Sequence, residues 1–315
     1  MFSTTVPTHM YPRLAGILGC TAALAFAGCA TNFSTGTYGS TTPAQAGAAH
    51  VLHYIPTRSV ARAAVRVTTS GVGILTYFNG PVLLEPKAYL IFWGYKKYGD
   101  PDKVEPLLKA YFKAVGGSSH DNIYTQYYDV AGSTTNYIAN PKGEFGGAWF
   151  DTNPVPQNPT DAQVAQEALK GVTKFGYDVN ASYVVATPHG RSSQGFGTQF
   201  CGYHSSVQQG SDFVAYTNLP YMPDAGEECG ADYIAPPKDE SAKDEGVTII
   251  GGELYGASIT DPNPGTGWYS FEYGEITECP WTGIRNDPFG KKSYTTAAMY
   301  SDATRSCVQA YGAQQ

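Results

Sequence analysis

Two histidines and three carboxylates are the residues of this chain whose types and places could do chemistry. His189 follows an apolar run, Ser182 to Thr187, inside a Pro188-His189-Gly190 turn. Strand ends are where ligands bind in α/β folds. His204 lies in Cys201-Gly202-Tyr203-His204. Either imidazole could ligate a metal or move a proton, and either could do no more than hydrogen-bond loop backbone. Glu253, Asp261 and Glu275 fall within 23 residues. Such a set could hold a hard cation or serve acid–base chemistry, and a solvated acidic face is the plainer alternative. No G-x-S-x-G, P-loop or dinucleotide fingerprint occurs, which argues against a serine hydrolase elbow and a nucleotide site.

The elements that must position these groups can be read from pattern. Gly73 to Tyr77 and Lys87 to Tyr95 read as strands around an Asn79-Gly80-Pro81 turn. The run Ala88 to Trp93 is apolar throughout and predicts a strand covered on both faces. Asp100 and Pro101 read as N-cap and first turn of a helix. In that helix Val104, Leu107, Leu108, Tyr111, Phe112 and Val115 share one face, and Gly116-Gly117 ends it. Ile123 to Tyr128 reads as a strand. Thr160 with Gln163 forms a capping box for a second helix that buries Val164, Ala168, Leu169 and Val172. The alternation of strand and helix over residues 60–190 predicts a layered α/β (mixed α+β) fold, a mixed sheet flanked by helices. The C-terminal third, rich in Gly, Pro and Tyr, reads as loop-rich and cross-linked. Within it, Val247–Ile250 and Tyr255–Thr260 read as two strands around Gly251-Gly252.

The N-terminus predicts export. Arg13 precedes an apolar run from Leu14 to Ala27. At about 14 residues the run is short of the ~20 a membrane-spanning helix needs, and it has the length of a signal-peptide core. Cleavage after Ala27 and a lipobox-like cut before Cys29, which would then carry lipid, are both open. Residues 1–29 are thus the targeting segment. Residues 30–50, rich in Thr, Ser, Gly and Ala, read as a flexible tether. Residues 51–315 read as one folded domain. Four cysteines remain beyond Cys20 and Cys29, an even number that reads as two disulfides in an exported chain. Three pairings are open. Cys201–Cys229 with Cys279–Cys307 is favoured, because each closes a loop of about 28 residues worth ~3 kcal/mol. The net charge of −7 without a basic run argues against nucleic acid as a partner. The 24 tyrosines read first as half-buried packing, and second as a sugar-binding surface.

Five ordered blocks bear a family resemblance. They are Val82 to Gly94; Thr187-Pro188-His189-Gly190 with Phe200 to His204; Asn218 to Asp224 with Cys229-Gly230-Ala231; Ile259 to Pro262 with Gly267-Trp268-Tyr269, Gly274-Glu275 and Cys279-Pro280-Trp281; and Ser301-Asp302-Ala303 before Cys307. Together they resemble the exordium, or phosphate-induced protein 1, family and its bacterial relatives over roughly residues 80–310. The resemblance implies an extracellular protein. It also implies a His-Glu-x-x-Glu stretch, similar to a zinc-peptidase helix, just before the Thr-Asp block. There the His and the second Glu would ligate Zn²⁺, the first Glu would act as base, and a later acid, matching Glu275, would complete the set. In this chain the His position reads as Gly252 or Glu253, and the second Glu position as Gly256 or Ala257.

The expectation is therefore an exported protein, extracellular or periplasmic, with a non-catalytic binding or structural role on a degenerate metallopeptidase-like scaffold. Its partner would be an envelope or cell-wall component, protein or glycan, with membrane contact only through lipid on Cys29. The alternative is a metal-dependent hydrolase with zinc as cofactor, Glu253 as base, and His189, His204 and Glu275 as ligands. A third reading is a cell-wall carbohydrate binder.

Overall fold

A computed structural model describes residues 50–65, 73–271 and 274–312. The targeting segment, Cys29 and nearly all of the tether lie outside the described residues. Six strands form the central sheet: β1 (His53–Pro56), β2 (Lys87–Trp93), β3 (Phe145–Asp151), β4 (Ala181–Ala186), β5 (Phe200–Gln209) and β6 (Asp212–Leu219). Their order is β1-β5-β6-β4-β2-β3. The pairs β2–β3, β2–β4 and β4–β6 are parallel, and β1–β5 and β5–β6 are antiparallel. This is a mixed sheet.

Helices α1 (Val104–Val115) and α2 (Asp161–Phe175) make the two crossovers, and α3 (Glu245–Thr260) follows β6. The pleat sends alternate side chains to opposite faces. Leu90, Phe92 and Val184 pack with α1 and α3, whereas Ile91, Trp93, Tyr183 and Val185 pack with α2. The crossover through α1 leads from β2 outward to β3, and the one through α2 leads back past β2 to β4. Opposite travel with one crossover hand puts the two helices on opposite faces.

The helix faces read from sequence are the faces buried. Val104, Leu107, Leu108, Tyr111, Phe112 and Val115 are all buried, and the Thr160–Gln163 capping box is formed. Asp100 does cap α1, but from further away than expected. Residues 101–103 form a turn that brings Lys103 to φ 62°, and the Asp100 carboxylate accepts from the amides of Val104 and Glu105 at 2.8 and 3.0 Å. Both expected disulfides are present, Cys201–Cys229 and Cys279–Cys307. Many tyrosines are core residues, Tyr111, Tyr124, Tyr183 and Tyr255 among them. Among the described residues no helix is long and apolar enough to cross a membrane.

Four readings are corrected. Residues Asp121–Gln126 form a 3-10 helix rather than a strand. Only Thr76–Tyr77 of the first expected strand pairs, with Trp268–Tyr269, outside the main sheet. The sheet extends past residue 190, because the β5–β6 hairpin supplies two of its strands. Lastly, Val247–Ile250 and Tyr255–Thr260 belong to one helix, α3. All sixteen of its residues are buried, so it has no polar face to give a helical period.

Candidate functional site

Helix α3 carries Glu253 and the positions at which the resemblance places a His-Glu-x-x-Glu stretch. Gly252 and Gly256 lie one turn apart on it and so share a face. A Cβ at Gly252 would stand 2.5 Å from the Tyr111 hydroxyl, and one at Gly256 would stand 2.5 Å from the Tyr124 hydroxyl. Glycine is needed here for close approach: the two phenols sit where longer side chains would project. Between these positions Glu253 is fully buried, and neither of its oxygens has a hydrogen-bond partner. Burial alone pushes its carboxyl up to about 8. Nearby, the Tyr255 hydroxyl donates to Glu144 at 2.9 Å. Burial also raises Glu144 and its neighbour Asp121, the latter to about 7, so the two acids favour holding a proton.

A second cluster lies on the same face of the sheet. His53 on β1 pairs across to His204 on β5, so both imidazoles point the same way. Their ring centroids are 5.4 Å apart. His204 Nε2 lies 2.6 Å from Glu275 Oε2, and His53 Nδ1 lies 3.5 Å from Glu275 Oε1. The other nitrogen of His53 is 2.8 Å from the Thr277 hydroxyl. Burial pushes His204 down to about 3 and Glu275 up to about 8. Both shifts arise from burial and favour the neutral forms, an imidazole and a carboxylic acid.

His189 is elsewhere. It stands beyond the end of β4 with its side chain 54% exposed, and its Nδ1 is 2.5 Å from Asp224 Oδ1. The Gly190 amide donates to the other oxygen of Asp224 at 2.7 Å. The His189 ring meets Tyr221, past the end of β6, whereas His204 pairs with Thr217 inside that strand.

The structure thus joins His204 with Glu275, adds His53, and leaves His189 apart. The expected grouping of His189, His204 and Glu275 around zinc is not formed. Among the described residues no group of three or more His, Cys, Asp or Glu side chains is placed to hold a metal ion. His53 carries no sequence signal, and Asp224 lies in a block of the resemblance to which no chemistry attaches; each meets its histidine partner across the fold. Two surface clefts of about 190 and 530 Å³ contain none of these side chains. No family model, no curated protein and no solved structure matches the chain.

Proposed function

We propose that this is an exported protein with a binding or structural role at the cell envelope, built on a degenerate metallopeptidase-like scaffold of the exordium type. One observation carries the reading. At the two helix positions where the resemblance calls for metal ligands, the chain has Gly252 and Gly256, and the hydroxyls of Tyr111 and Tyr124 fill the space. Glu253, left between them, is a buried acid with no water-activating partner. Water activation needs a metal or a base in reach of the water. Two disulfides support export, since such bonds persist in oxidising compartments.

The test is elemental analysis of protein purified from its native compartment without added metal, together with peptide cleavage in the presence and absence of a chelator. The expected result is no stoichiometric metal and no chelator-sensitive cleavage. One zinc per chain, lost in His204→Ala or Glu275→Ala, would overturn the proposal and restore the hydrolase reading.

A further inference from the structure

The parallel strands β3, β2, β4 and β6 all end on one side of the molecule. Between β2 and β4 the chain reverses its direction of travel along the sheet, and the loops after these two strands diverge. In open α/β sheets such a point is a preferred ligand site. The loop after β2 is the one-turn helix Tyr95–Tyr98. The loop after β4 carries His189 and Arg191. The two loops meet at Tyr98, with the Arg191 guanidinium 4.4 Å and the Lys97 ammonium 5.5 Å from its ring centroid. Tyr98 is itself fixed by its hydroxyl, which donates to the Val155 carbonyl at 3.3 Å.

We propose that this strand-end surface binds acidic glycans, with Lys97 and Arg191 taking the sugar carboxylates and His189 a neighbouring hydroxyl. The proposal deepens the binding role above and rests on it. Carboxylates at this end are engaged by the protein's own donors. Asp100 accepts from Val104, Glu105 and Tyr221. Asp151 is held by Asn153 and Lys170, and Asp224 by His189 and Gly190. Lys97 and Arg191 make no ion pair among the described residues. The Arg191 guanidinium, 4.4 Å from the Tyr98 ring centroid, has a planar fork of N–H donors that matches a carboxylate. His189 is oriented through Nδ1, which leaves its other ring nitrogen, on a half-exposed side chain, for a hydroxyl. A sugar acid offers a carboxylate, hydroxyls and an apolar ring face together, matching cations, imidazole and the tyrosine edges. The chain as a whole carries −7, so a polyanion must be held by local contacts against general repulsion.

The experiment is affinity electrophoresis of the full-length protein through gels containing polygalacturonate, with dextran and poly-glutamate gels alongside. Expected are retardation by polygalacturonate that fades at high salt, a loss of at least tenfold in apparent affinity for Lys97→Glu with Arg191→Glu, and little change for the exposed control Lys174→Glu. Circular dichroism checks that the variants fold. An absence of retardation, or retardation equal in the double variant, overturns the proposal. Equal retardation by poly-glutamate would make the partner an acidic peptide, and equal retardation by dextran would remove the role of charge; either overturns it too. Metal content does not enter this readout, so the failure of either proposal is separately visible.

Discussion

Replacing Glu253 by glutamine should make the protein more stable at neutral pH. Glu253 is fully buried with both oxygens unpartnered, and burial moves its carboxyl from 4.5 to about 8. Its folded value lies above its unfolded value. Below pH 4.5 the acid is protonated in both states, and its favourable contribution is complete. As pH rises toward 8 the unfolded chain releases a proton that the folded chain keeps, so stability falls. At 1.36 kcal/mol per pH unit, the interval up to pH 7 costs about 3 kcal/mol. Glutamine has the same shape and no such proton. The variant should match the parent near pH 4 and exceed it by about 3 kcal/mol at pH 7, roughly 6–12 °C in Tm. Urea unfolding of both proteins from pH 4 to 8 measures the difference. A difference that stays flat, or that turns against glutamine as pH rises, would refute the picture of a buried neutral acid. It would point instead to a carboxylate with a positively charged partner.

Further outcomes follow from neighbouring contacts. Gly252→Ala forces a Cβ against the Tyr111 hydroxyl and should cost about 1–3 kcal/mol. Gly251→Ala meets Leu108 and Leu219 only at 3.7 Å and should be neutral or stabilising by up to about 1 kcal/mol, so chemical denaturation of the pair isolates the steric effect. Asp100→Ala removes the cap of α1 and the acceptor for Tyr221; a loss of about 1–2 kcal/mol in urea midpoint experiments is expected, and an unchanged midpoint would refute the capping role. Replacing Cys201 and Cys229 by serine should destabilise by about 2–4 kcal/mol, read as a lower Tm that reducing agent no longer depresses by the same amount.

What was legible in the residues was local. Helix α1 shows its buried face because that face alternates with solvent, and α2 announces its start because Thr160 and Gln163 satisfy amides within one turn. The disulfide pairing follows the shortest loops. Where the pattern misled, the cause was burial on every side. Helix α3 has no exposed face, and its glycines, poor for an isolated helix, are there so that Tyr111 and Tyr124 can come close. The expected strand Ile123 to Tyr128 has β-branched and aromatic residues that suit a strand, but up to Gln126 the chain forms a tight helical turn in which Ile123 and Tyr124 are buried.

The site divides in the same way. Residue types alone pointed to His189, His204, Glu253 and Glu275 as chemically able groups. Which of them meet was decided by the sheet. Register across β1 and β5 sets His53 beside His204, and long-range packing brings in Glu275 from 71 residues away. The crossovers send His189 to the strand ends, beside Asp224 and the Tyr221 ring. Protonation was decided there too: a carboxyl's charge depends on the water and partners around it, and burial withdraws both from Glu253. Sequence determines which groups exist and which segments fold locally. Distance and dielectric, and with them the chemistry, arise only once segments far apart in the chain are packed together.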